Sequence, residues 1–144
     1  MIIVAAAAGL VFNLLTPQGI GWLPSHMAEP QWQAVDLVQA VELQKEGAVL
    51  VDARDPGDYK SERAAGAVNL YPEEIKLLWP LLEPTLREAP AVVVYGRYLS
   101  RWPAAQVAQF LRGQGLPKVY VMQGGLTDWK RAGLPVKSPR RNRP

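Results

Sequence analysis

Six residues, Gly96-Arg97-Tyr98-Leu99-Ser100-Arg101, give this chain its best means of doing chemistry. They follow four consecutive β-formers, Val92-Val93-Val94-Tyr95, and precede a helical pattern that opens at Trp102. Pro103 falls in the first turn of that helix, where a missing N–H costs nothing. A short loop between a buried strand and a helix aims backbone N–H groups and the positive helix end at one spot, which suits an anion. Arg97 has no obvious partner in the sequence and is expected to face that pocket, with Arg101 closing the loop. Tyr98 and Trp102 read either as an aromatic wall of the pocket or as a loop-tip ring and a residue packed under the helix start. On geometry alone, an ordinary βα turn without chemistry competes with the anion site.

Nucleophiles are scarce. The chain has no cysteine, which excludes disulfides, thiolate metal sites and a cysteine nucleophile. Ser100 is the loop's one aliphatic hydroxyl and has no histidine base beside it in sequence. The single histidine, His26, cannot build a histidine metal site by itself and lies in a Pro-rich connector. No metal or other cofactor is expected. Asp52 and Arg54, at the end of an earlier strand, read as residues that cap neighbouring loops or pair with each other.

The elements that must position this loop alternate between strand and helix. Gln33-Ala34-Val35 reads as a short strand, and Asp36 as the N-cap of a helix with Leu37, Val38, Val41 and Leu43 on its apolar side. Gly47 lies just past that helix. Ala48 to Asp52 is a buried strand, Asp55-Pro56-Gly57-Asp58 a turn, and Tyr59 to Ala65 a short polar excursion. Ala67 to Leu70 is a brief strand. Pro72 opens a helical region with Glu73 and Glu74 in its first turn. Pro80 and Pro84 should break that region into two short pieces. Ala104, Val107, Ala108 and Leu111 recur at helical spacing until Gly113 or Gly115. Lys118 to Met122 is the last strand, and Gly124-Gly125 turns into a helix from Leu126 to Arg131, ended by Gly133-Leu134-Pro135. This alternation predicts an α/β fold: a central parallel sheet of about five strands, helices on both faces, and Val92 to Tyr95 in its interior.

The chain of 144 residues is 49% hydrophobic and 20% charged, enough for one core of ordinary α/β composition. Its net charge of +3 comes from the end: without Lys137, Arg140, Arg141 and Arg143, 12 basic residues face 13 acidic ones. The body therefore carries no nucleic-acid signal, and the basic tail reads as a solvated end. Met1 to Leu15 is apolar except for Asn13. Fifteen residues fall short of the roughly 20 that span a bilayer, and Pro17, Gly19 and Gly21 would break an extension to Leu23. Three readings stand open: a membrane-associated helix, a helix packed on a partner or a second copy, and a secretory signal lacking its basic region. The expected organisation is an apolar segment over 1–24, a linker over 25–32, a domain over 33–136 and a basic tail over 137–144.

Three pieces, in order, resemble the rhodanese-like family over about Gln33 to Val136. Val49-Leu50-Val51-Asp52-Ala53-Arg54 with Asp58-Tyr59 is similar to the family's D-x-R and acidic-aromatic pair. Gly66-Ala67-Val68-Asn69 is similar to its G-A-x-N. Gly124-Gly125-Leu126, Trp129 and Ala132-Gly133-Leu134-Pro135 resemble its closing motif. The resemblance implies the family's three-layer fold and, in active members, a cysteine opening a six-residue C-x4-R loop after the central strand. That thiolate takes sulfane sulfur as a persulfide and passes it to a nucleophile, both anions being held by loop N–H groups and the helix dipole. Relatives with phosphatase activity have a loop one residue longer.

Here the loop has the sulfurtransferase length, but Gly96 stands in the cysteine's place while Arg101 matches the terminal arginine. Leu99 replaces a usual glycine and Trp102 a usual small hydroxyl residue, and Arg63-Ala64-Ala65-Gly66 stands where H-I-P-G is common. Leu99 and Trp102 point to a natural departure rather than an engineered one. The expectation is a non-catalytic rhodanese-like binding module, tethered to a membrane or self-associating through residues 1–15, with a residual anion-binding loop at Gly96 to Arg101 supported by Asp52, Arg54 and Trp102. The alternative is sulfur transfer with a cysteine supplied by a partner, and a scaffold role is a third. Expected partners are a small anion, a protein or second copy, and a membrane of unassigned side, but no nucleic acid. The alternative localisation is soluble and cytoplasmic.

Overall fold

The structure, a computed structural model, describes residues 31–97 and 101–139. The apolar segment over 1–24, most of the linker, Tyr98, Leu99, Ser100 and the arginines of the tail lie outside those residues. So do the readings that rest on them.

Strand β1 (Gln33–Val35) leads into helix α1 (Leu37–Lys45) through an Asp36 capping box. The Asp36 carboxylate accepts from the Gln39 N–H at 2.8 Å, and the Gln39 side chain accepts from the Asp36 N–H at 3.0 Å. Gly47, at φ +98°, then reverses the chain into β2 (Val49–Asp52). Next come α2 (Pro56–Ser61), β3 (Arg63–Ala64), β4 (Val68–Asn69), a 3-10 turn (Pro72–Glu74) and α3 (Ile75–Glu88). The central strand β5 (Val92–Gly96), α4 (Trp102–Gly113), β6 (Val119–Gly125), α5 (Leu126–Arg131) and β7 (Val136–Lys137) complete the domain.

Five strands form one parallel sheet in the order β1-β6-β5-β2-β4, so β5 occupies its centre. Successive side chains of a strand point to opposite faces, and β5 feeds two cores in alternation. Val92 and Val94 join Trp79, Leu86, Val107 and Leu111 beneath α3 and α4. Val93 and Tyr95 join Ala40, Leu50, Leu126 and Trp129 beneath α1 and α5. That is why the strand reads as an unbroken apolar run: both of its faces are buried.

Five expectations need correcting. Val38 does not face the core: it is 71% exposed, and the buried residue of α1 is Ala40. The stretch after Asp55 is a helix rather than a turn, with Asp55 as its N-cap and Pro56 opening its first turn. Pro80 and Pro84 do not split α3, which runs unbroken for 14 residues. The two prolines sit four apart on its solvent face, so the carbonyls they leave unpaired, of Lys76 and Pro80, belong to exposed residues. Lys137, assigned to the tail, joins Val136 in β7 and pairs antiparallel with Arg63 of β3. Trp32, assigned to the linker, packs against the first core.

Candidate functional site

All five strands of the main sheet run the same way, so their C-terminal ends share one edge of the molecule, where open α/β sheets place ligands. Gly96 ends β5 there, buried and in register with Gly125 of β6. The register shifts between Val94 and Gly96, which marks the point where the strand departs from regular pairing.

Beneath this edge lies a buried polar frame. Asp52 is fully buried at the end of β2, opposite Tyr95 in the ladder. Arg54 grips it with two nitrogens, Nη2 to Oδ2 at 2.6 Å and Nε to Oδ1 at 3.0 Å. The Tyr95 hydroxyl donates to Asp52 Oδ2 at 2.7 Å and accepts from the Ala64 N–H at 3.2 Å. Arg54 Nη2 also donates to the Glu62 carbonyl at 2.6 Å. Asn69 donates to the carbonyls of Asp52 and Arg54, each at 2.9 Å, and so fixes the turn after β2. Burial pulls the Arg54 guanidinium down, but its hydrogen bonds and charge attraction to Asp52 outweigh that and hold it above its ordinary value. Burial, followed by the Asp52 charge and hydrogen bond, pushes the Tyr95 phenol well above the ordinary range. The frame ties β2, β3 and β5 together around one carboxylate. Asp52 and Arg54 thus pair with each other, one of the two roles their spacing suggested.

Arg97 lines the cavity over Gly96 but has partners that the sequence did not show. Its guanidinium does not stand free in the pocket but bridges Asp55 at 2.7 Å and Asp58 at 2.8 Å. Asp55 is already the N-cap of α2, accepting from the N–H groups of Gly57 and Asp58 at 3.1 Å each. The Asp58 N–H first, and Arg97 second, hold the Asp55 carboxyl below its ordinary value. A cavity of about 220 Å³ lies over Gly96, lined by Arg54, Asp58, Arg97, Leu126 and Thr127. Its two cations each have a carboxylate partner, so it is far less positive than its arginines suggest.

Beside it a shallow cavity of about 260 Å³ is lined by Tyr71, Pro72, Glu73, Trp102, Pro103 and Gln106. Trp102 is 68% exposed, so it does not pack under the helix start. Arg101 is exposed at the N-cap position of α4 and makes no side-chain cap. The sequence did not reveal Tyr95, Asp55, Tyr71 or Glu73 as parts of this region. Among the described residues no group of His, Asp or Glu is arranged to hold a metal. Among the described residues that line the cavity over Gly96, Thr127 is the only one with a hydroxyl.

A five-stranded parallel sheet with helices on both faces, and a loop-to-helix junction at the C-terminal end of its central strand, defines a rhodanese-type fold. The chain belongs to the rhodanese-like domain family, whose sequence profile matches residues 22–132. It is 37% identical over 101 residues to the thiosulfate sulfurtransferase GlpE of Actinobacillus pleuropneumoniae, spanning 69% of this chain and 88% of that one. It is 32% identical over 94 residues to YibN of Escherichia coli, spanning 65% of this chain and 64% of that one. The solution structure of a polysulfide-sulfur transferase homodimer from Wolinella succinogenes superposes with a TM-score of 0.60 at 24% identity, covering 83% of this chain and 88% of that one. A rhodanese-related protein from Thermoplasma volcanium gives 0.61 at 22% identity, covering 74% and 98%.

Proposed function

We propose that this protein is a non-catalytic rhodanese-like domain that acts as a binding module. One observation carries the reading: the central strand ends in Gly96, and no cysteine exists anywhere in the chain to replace the missing thiolate. Sulfane-sulfur transfer through a persulfide needs a thiolate to attack the donor sulfur and then hold it. Serine and threonine cannot do this. Binding does not need the thiolate. Helix α4, 12 residues long, starts immediately beyond the loop and keeps Arg101 at its N-cap, so a weak anion site over Gly96 to Arg101 remains part of the proposal. The commitment of Arg97 to Asp55 and Asp58 removes one of its two cations. Affinity for sulfate or thiosulfate should therefore be no better than roughly millimolar and should fall with salt.

A thiosulfate–cyanide assay tests this directly. The purified chain should produce no thiocyanate above background, and turnover without added thiol protein would overturn the reading. Gly96→Cys alone should restore little, because a persulfide anion would then sit beside the Asp58 carboxylate while Arg97 is already shared. Robust turnover by Gly96→Cys would show instead that the pocket is otherwise competent. A second reading, sulfur transfer with a partner's cysteine, draws on the GlpE relative and on the intact Asp52–Arg54 frame. It predicts that a cysteine-bearing partner protein gains activity when this chain is added. Attachment to a membrane or to a second copy through Met1 to Leu15 also belongs to the proposal. Among the described residues no helix is long and apolar enough to cross a membrane.

A further inference from the structure

At the other side of the molecule, two strands away from β5, the sheet ends at β1. Among the described residues its single neighbour in the sheet is β6, and Gln33 and Ala34 are exposed. Edge strands offer unpaired backbone groups and are usually guarded by lysine, proline, a bulge or a covering element. Gln33-Ala34-Val35 has none of the guarding residues. Helix α1 runs beside this edge, and between them lies a groove of about 380 Å³. Val35, Val38, Leu43 and Tyr120 give it an apolar floor, and the 71% exposure of Val38, at odds with a core role, is explained if this wall receives a ligand.

The polar wall has one sign. Gln39, Glu42 and Glu46 line the groove at spacings of three and four, so they form a single stripe along α1, and among the described residues no lysine or arginine lines it. Among the described residues Glu42 pairs with Lys45, and both side chains are more than half exposed. Glu46 makes no ion pair among the described residues. Both carboxylates sit at the C-terminal end of α1, where the helix dipole is negative and acidic side chains are disfavoured. The dipole and the carboxylates thus act together in attracting a cation. A nine-residue helix is about 13 Å long, the length of about four extended residues.

We propose that the β1–α1 groove binds an extended basic peptide segment, which adds to the free edge of β1 as a further strand. One side chain of that segment packs on Val38 and Tyr120, and its Lys or Arg residues face Glu42 and Glu46. This is β-strand addition, in which main-chain hydrogen bonds supply affinity and the groove supplies selectivity. It is a site separate from the Gly96 loop and stands whether or not that loop binds an anion.

The test uses the full isotope-labelled chain and three end-blocked pentapeptides: Arg-Val-Lys-Val-Arg, its acidic counterpart Glu-Val-Asp-Val-Glu, and the basic peptide N-methylated at alternate residues. The basic peptide should shift the amides of Gln33 to Val35, of α1 and of Tyr120. The acidic and N-methylated peptides should not. Glu42→Lys with Glu46→Lys, both exposed positions, should leave Tm unchanged and weaken the basic peptide about tenfold, as loss and reversal of two surface charge contacts implies. Equal binding of the acidic or N-methylated peptide, shifts confined to the Asp55–Asp58 region, or no shifts at millimolar peptide would each overturn the proposal. Concentration-dependent shifts of β1 without peptide, lost on removing residues 138–144, would overturn it in favour of a second copy as the occupant.

Discussion

Asp52 is the residue on which the site region rests, because a fully buried carboxylate is stable only while its partners hold. Tyr95→Phe keeps the ring but deletes the donor to Asp52 and the acceptor for the Ala64 N–H. It should cost about 1–3 kcal/mol, the penalty of leaving a buried polar group unsatisfied. Denaturant titration should show a lower midpoint with an unchanged slope, and an unchanged midpoint would mean that water replaces the hydroxyl. The pairing of Asp52 with Arg54 was legible because the two lie two residues apart at a strand end. The part played by Tyr95 was not: it reaches Asp52 only through the register of β2 against β5, across 43 positions of sequence. The partner of Arg97 was not legible for the same reason, Asp55 being 42 positions upstream. That contact also sets an acid dependence. A carboxyl held lower in the folded state adds stability above its unfolded value, here 3.8, and loses it as pH falls through the folded one. Asp55→Asn keeps a good N-cap but loses the charge, so its stability should be flatter than wild type below about pH 4. Parallel acid denaturation curves for the two proteins would sink this.

Helix α3 shows how an element overrules its residues' preferences. A proline inside a helix costs about 3 kcal/mol in isolation, and two of them suggest a break. The buried face decides otherwise. Trp79 packs edge-on against Phe110 of α4, with ring centroids 5.6 Å apart, and Leu86 is nearly fully buried. Each such side chain contributes about 1.5–3 kcal/mol by burial. The prolines sit on the opposite, solvent-exposed face, where the carbonyls they free are open to water. Pro84→Ala should therefore stabilise the domain by on the order of 1–2 kcal/mol, since the restored helical preference exceeds the entropy returned to the unfolded chain. A lower denaturation midpoint for Pro84→Ala would show that the proline itself supports the packing of α3. The long elements were legible because their periodicity is strong: β5, α4 and the strand order's parallel sense all follow from apolar spacing. The β3–β7 pair was not, because two-residue strands carry no period, and Val38 was placed wrongly because a nine-residue helix leaves the width of its apolar stripe undetermined.

At the scale of the molecule, the two cores that flank the sheet draw their side chains from Trp32 to Leu134. The closing contacts come just after: the Pro135 carbonyl accepts from Trp129 Nε1 and from the Ala65 N–H, each at 3.0 Å, and β7 then pairs with β3. The unit from Gln31 to Pro144 therefore contains every strand of the main sheet and the residues that seal both of its faces. A chain starting at Gln31 should fold by itself, unfold in one cooperative step and melt within a few degrees of the full protein. Starting two residues later removes Trp32, which packs against the α3–α4 core although the sequence placed it in a Pro-rich linker. That shorter chain should lose about 1–3 kcal/mol, in keeping with the partial burial of one large side chain. Calorimetry on the two truncations separates the contributions. A Gln31 start that fails to fold would make the first 30 residues part of the domain's core, and the tether or docking role proposed for Met1 to Leu15 would fall with it. Equal melting of the two truncations would instead return Trp32 to the linker.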